Sequence, residues 1–206
     1  PRAWAAAAAA VALSGCEGSL PATANPEQPL PSPVPAFVYA DEVAIFVGHP
    51  GVRIIDARPA GQHRWGHIAG AVNLEWVDLR DRSGGLTTGR LDEDADYLAT
   101  VVGEHGVGNE HWVIVVGEPL EGWGEEARVA WVLRYLGHDR VSLLNGGMAA
   151  WKRAGLPLRR GRQAASPTAF VPEIDESVLA RKADVQRISE ASDEWRTVLV
   201  DVRTSE

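Results

Sequence analysis

Two short phrases, Ile54-Ile55-Asp56-Ala57-Arg58 and Leu199-Val200-Asp201-Val202-Arg203, repeat one pattern 145 positions apart: an apolar run closed by Asp-x-Arg. Self-similarity at so long a period predicts two copies of one domain rather than a single large fold. The second phrase lies close to Glu206. The chain is therefore expected to hold one complete domain and only the opening of a second, as a fragment of a longer protein.

The first residues carry a different signal. Arg2 is followed by an apolar stretch over residues 3–13 and then Ser14-Gly15-Cys16. A positive residue, a short apolar core and small residues at its end describe an export signal too short to span a bilayer. Leu13-Ser14-Gly15-Cys16 resembles the lipobox of bacterial lipoproteins, in which the Cys becomes the lipid-bearing first residue after cleavage. Residues 1–16 are read as a lipoprotein-like signal with Cys16 as the lipidation site; an Ala-rich leader without that role is the alternative. The resemblance implies an exported protein, periplasmic or in the cell envelope, held to a membrane by its lipid.

Cys16 is the only Cys in the chain, which excludes an intramolecular disulfide or a multi-Cys zinc site within it. Residues 17–35 hold six prolines and read as an extended tether. A formal net charge of −8 argues against a nucleic-acid or anionic-membrane surface.

Beyond residue 35 the punctuation is globular. Residues 52–56, 71–74, 112–116 and 141–144 are short apolar runs bounded by Gly or Pro, the pattern of buried strands. Residues 92–102, 125–136 and 148–154 have helical spacing and each stops at Gly. Over 125–136, Ala127, Ala130, Trp131, Arg134 and Tyr135 fall at helical intervals. Strands alternating with helices predict an α/β fold, a parallel sheet covered on both faces.

Four phrases come in order: Asp56-Ala57-Arg58, then 66–73 (GHIAGAVN), then 134–138 (RYLGH), then 144–151 (LNGGMAAW). Together they resemble the rhodanese family, and its tandem thiosulfate or 3-mercaptopyruvate sulfurtransferases in particular. The resemblance spans residues 36–158 as a first, non-catalytic rhodanese-like domain. Residues 159–183 become an interdomain linker, and 184–206 the truncated start of a second domain. It implies a thiolate at the end of the central strand, cradled by backbone N–H groups and a helix N-terminus, which lower a thiol's pKa and hold an anionic donor. That thiolate takes up a sulfane sulfur as a persulfide and passes it on. The implied partners are a small anionic sulfur donor and a thiol or cyanide acceptor, with no cofactor.

In this copy the strand delivers Gly117 to the nucleophile's place, where active relatives have Cys and inactive first domains commonly Asp. The loop that follows carries Glu118 and Glu121, and Glu125 and Glu126 open the next helix. Acids there satisfy the helix dipole and repel an anionic donor. The catalytic Cys is expected beyond Glu206. Arg203 resembles the substrate-binding Arg of the catalytic copy, a planar fork suited to a carboxylate or sulfonate. Arg58 is expected to be structural, paired with a carboxylate or carbonyl. His63 and His67 share a metal-ligand spacing, but no further ligand motif accompanies them, and no metal site is assigned. Trp65, Trp76, Trp131 and Trp151 are expected to pack the core and the domain interface.

The resemblance leaves two function classes: a tandem sulfurtransferase, or a binding or scaffold protein with two inactive domains. Rhodanese-like phosphatases fit less well, since their active loop is longer.

Overall fold

The computed structural model describes residues 24–83, 89–119, 122–190 and 198–200. Cys16, Glu121, Arg203 and the second Asp-x-Arg phrase lie outside them. Five parallel strands form one sheet in the order β1 (Phe37–Val38), β5 (Val141–Leu144), β4 (Trp112–Val116), β2 (Val52–Asp56), β3 (Val72–Asn73). The four expected strands are present, and β1 adds an edge. Helices α1 (Ala40–Phe46), α2 (Ala60–Trp65), α3 (Ala95–Glu104), α4 (Glu125–Tyr135), α5 (Gly147–Arg153) and α6 (Lys182–Glu190) complete it, with a 3-10 turn over Trp76–Leu79. Among the described residues no helix is long and apolar enough to cross a membrane.

The central strand shows why both faces are covered. Successive side chains of a strand point to opposite faces. Val113 and Val115 join a core with Leu98 and Val102 of α3 and Val129 and Leu133 of α4. Trp112, Ile114 and Val116 join another with Val43 of α1 and Met148 and Trp151 of α5. Two buried indoles need acceptors for their N–H groups. Trp112 Nε1 donates to Ser142 Oγ at 2.9 Å, and Trp151 Nε1 to the Pro157 carbonyl at 3.0 Å.

Several boundaries move for physical reasons. The helix expected over 92–102 is α3, because the Asp94 side chain caps it by accepting from the Tyr97 amide at 3.0 Å. In α4 the buried stripe runs through Glu126, Val129, Ala130 and Leu133, while Ala127 and Arg134 face out. Trp151 lies in the core that holds Met148, and Trp76 and Trp131 pack half-buried against the core on the other face. Trp65 is 80% exposed instead. Helix α2 is only six residues long, and its buried position goes to His63, two residues away and on another face.

The segments flanking the sheet lie on the body. Ala24 is buried, and Leu30 and Val34 pack against the core, so this part of the expected tether is seated. Within 159–183, Thr168 N–H donates to the Gly103 carbonyl and Glu173 N–H to that of Leu136, both at 2.9 Å. Phe170 is buried between them in sequence.

Candidate active site

In open parallel sheets, ligands bind where the strands end at their carboxyl edge. Here β4 ends at Val116 and hands over to Gly117, beside the end of β2 at Asp56 and the start of α4. Gly117 has no side chain, and the space it leaves is taken. A Cβ on Gly117 would collide with Glu126 Oε2 and lie 2.7 Å from its Cδ. Burial, first, and the nearby Glu125 and Glu118 raise the Glu126 carboxyl above its ordinary range, against the pull of its own backbone amide.

Beside it lies a buried charge network. Asp56 is buried and accepts from Arg58 Nε at 2.9 Å, Arg58 Nη2 at 2.7 Å and His63 Nδ1 at 3.0 Å. Burial alone would raise the Asp56 carboxyl; the His63 and Arg58 hydrogen bonds and the Arg58 charge outweigh it and hold it below its ordinary value. Arg58 also donates to the Gly66 carbonyl at 2.8 Å, and Nη1 lies 3.5 Å from Glu118 Oε1. The arginine therefore has both a carboxylate and a carbonyl, as a structural residue requires. Lys152 Nζ lies 3.7 Å from the same Glu118 oxygen.

His63 and His67 stack at 4.0 Å between ring centroids, and His67 Nδ1 donates to the His63 carbonyl at 2.9 Å. Among the described residues no group of three or more His, Cys, Asp or Glu side chains could hold a metal. The pair fastens the turn after α2 to Asp56.

Above this network opens a groove of about 820 Å³, whose walls include Trp65, Leu158, Glu118, Trp123 and Lys152. Among the described residues no thiol reaches it. The sequence places Glu126 among the acids at the head of the helix, and the structure buries it. Its signal was the spacing 126, 129, 130, 133, which puts a carboxylate on the apolar stripe.

Residues 40–154 match the rhodanese-like domain. The chain belongs to the rhodanese family. It is 30% identical over 150 residues to human 3-mercaptopyruvate sulfurtransferase, covering 73% of this chain and 48% of that protein. To the thiosulfate sulfurtransferase of Corynebacterium glutamicum it is 32% identical over 130 residues, 58% of this chain and 41% of the relative. The chain thus spans about half the length of the curated relatives it matches. Its fold is that of the Escherichia coli 3-mercaptopyruvate sulfotransferase SseA, with a TM-score of 0.66 at 30% identity over 75% of this chain and 61% of SseA. Within this rhodanese domain β4 is followed by Gly117, which has no side chain.

Proposed function

We propose that this chain is the first, non-catalytic part of a sulfurtransferase that moves a sulfane sulfur from thiosulfate or 3-mercaptopyruvate to a thiophilic acceptor, through a Cys persulfide in a second copy of the domain. The observation that carries the division of labour is Gly117, whose place beside the strand end is filled by the Glu126 carboxyl. The repeated Asp-x-Arg phrase at Asp201–Arg203 supports a second copy, and relatives at about 30% identity named as sulfurtransferases support the chemistry. With thiosulfate, the thiolate attacks the outer sulfur, the S–S bond breaks and sulfite leaves with the electron pair. The acceptor, cyanide for example, attacks the terminal sulfur of the persulfide, and thiocyanate leaves as the thiolate is restored. Splitting the transfer in this way lowers each barrier. Arg203 is assigned to bind the anionic donor.

The test measures thiocyanate from thiosulfate and cyanide with this chain alone and with the chain extended through the second copy. Turnover by the extended protein, abolished by Cys→Ser at the end of its central strand, supports the reading. Turnover by the fragment, or none by either, overturns it and in the second case favours a scaffold. We also place the protein at the cell envelope through acylation of Cys16. Fatty-acid labelling lost in Cys16→Ser supports this, and unlabelled wild-type precursor contradicts it.

A further inference from the structure

The formal net charge of −8 is unevenly spread along the chain. Residues 57–74 and 140–172 contain no Asp or Glu, and between them they hold eight of the 20 Lys and Arg. The fold brings parts of these two stretches together. Arg159 and His67 exchange backbone hydrogen bonds at 2.8 and 2.9 Å, and the Gly161 N–H donates to the Arg64 carbonyl at 3.0 Å. Residues 159–162 (RRGR) are thereby pinned beside the end of α2. Gly161 turns the chain there at a φ of +97°, which glycine adopts readily and other residues do not.

Arg64, Arg159, Arg160 and Arg162 are all exposed, and among the described residues none has a carboxylate partner. Arg64 and Arg160 share a hollow of about 390 Å³ with Trp65 and Gly61. Leu158, itself partly exposed, reaches the same end of α2: a Cβ on Gly66 would lie 3.2 Å from Leu158 Cδ1. Two acids, Glu118 and Glu125, line the adjoining groove, and Glu118 already faces Arg58 and Lys152. An exposed indole beside unpaired guanidiniums therefore stands out on an acidic protein.

Their chemistry says what fits them. Guanidinium forks match phosphate oxygens, and an indole favours the boundary between lipid headgroups and acyl chains. A nucleic acid would run beyond the patch onto the rest of the chain, where all 28 Asp and Glu lie. A lipid surface touches one face only.

We propose that this face docks the domain on an anionic lipid bilayer, with Arg64, Arg159, Arg160 and Arg162 at headgroup phosphates and Trp65 and Leu158 at the interface. Whole-chain charge conceals the face because the acids lie elsewhere. The inference goes beyond sulfur transfer and does not need Cys16 to be acylated, so the test removes that thiol.

The full chain carrying Cys16→Ser is sedimented with vesicles of phosphatidylglycerol and phosphatidylcholine in equal parts, and with vesicles of phosphatidylcholine alone. Binding is expected only to the anionic vesicles, and it should vanish in about 1 M salt, where the screening length falls to about 3 Å. One arginine near such a surface is worth about five-fold in partitioning, so Arg64→Gln with Arg160→Gln should weaken binding about twenty-five-fold. Arg181→Gln with Arg187→Gln removes the same charge from two exposed positions outside the patch and should change binding little. Trp65→Phe should lose most of the fluorescence quenching that phosphatidylglycerol brominated in its acyl chains produces in the parent chain. These side chains are exposed, so unchanged urea midpoints are expected throughout.

No binding to anionic vesicles overturns the proposal. Equal weakening by the two arginine pairs also overturns it, because net charge alone would then decide. Binding that persists without Arg64 and Arg160 belongs to another segment, the apolar residues 3–13 included, and counts against it in the same way. So does arginine-dependent binding to a duplex oligonucleotide with none to vesicles.

Discussion

Gly147 sits so close over Gly117 that a Cβ on it would strike the Gly117 carbonyl oxygen and lie 2.6 Å from Pro119 Cδ. The next amide, that of Met148, donates to the same oxygen at 2.9 Å. The loop leaving the central strand is thus clamped to the head of α5, at a backbone φ of +53° that side chains disfavour. Gly147→Ala is expected to lower stability by about 2–4 kcal/mol, because backbone strain and a backbone clash add. Gly155, at φ +67° with nothing near its missing Cβ, is the control. Gly155→Ala should cost only about 1 kcal/mol. Urea unfolding of both variants measures the difference, and equal losses would remove the clash as the cause.

The buried pair under the site makes a second prediction. Asp56→Asn keeps the shape but takes the closest carboxylate from the Arg58 guanidinium, 4% exposed, leaving it only Glu118 at 3.5 Å. Breaking such a pair from one side costs about 3–5 kcal/mol. The pH dependence has a definite sign. The Asp56 carboxyl titrates lower in the folded protein than in the unfolded chain, so its contribution is complete above the ordinary carboxylate range. It is lost as the pH falls through the lowered folded value. The gap between wild type and Asp56→Asn in urea midpoint should therefore be widest near neutrality and narrow in acid.

Segment 159–178 lies along the body, and Phe170 is its buried anchor. Its neighbours are glycines for want of room: a Cβ on Gly103 would lie 2.5 Å from the Thr168 carbonyl oxygen. Phe170→Ala is expected to cost about 2–4 kcal/mol, toward the lower part of the range for large core truncations because the residue sits at the rim. Limited proteolysis should then cut within 159–178 faster than in wild type. Unchanged cleavage would mean that the backbone hydrogen bonds of Thr168 and Glu173 hold the segment without the ring.

How much of this was legible in sequence depended on what each residue had to satisfy. The apolar strands and the Gly stops of α3, α4 and α5 are local signals, and the structure has them within a few residues. Arg58 was readable as structural because its own phrase supplies a carboxylate, Asp56, two residues away. Helices α1 and α2 are too short for a 3.6-residue period to show above noise. Trp65 misled because an aromatic residue near a helix end says nothing about which face it takes. Glu126 was hidden by chemistry: a carboxylate is ordinarily a surface residue, and only the phase of α4 turns it inward. The seating of 159–178 depends on contacts with Gly103 and Leu136 that no local pattern announces.

The last prediction concerns acid sensitivity. His138, directly after the glycine that ends the α4 turn, is buried, packs its ring 5.9 Å from that of Phe170 and has no partner for Nε2. Burial, first, and then the charges of His111 and Arg140 push it down to about 4, against the upward pull of its hydrogen bond to the His111 backbone. Burial likewise lowers His111 and His67. An unfolded His titrates at about 6.5, so between there and about 4 the unfolded chain binds a proton that His138 in the folded protein refuses. The stability tied to neutral His138 is complete above the unfolded value and is lost as the pH falls across that window. One such proton gives a slope of about 1.4 kcal/mol per pH unit. His138→Gln removes the titration while keeping a polar side chain. It should be less stable than wild type at pH 7.5, having disturbed the contact with the His111 carbonyl, yet lose less on acidification, so that the two urea-midpoint curves converge toward pH 4. Parallel curves would assign the acid sensitivity to His67, His111 or the carboxylates instead.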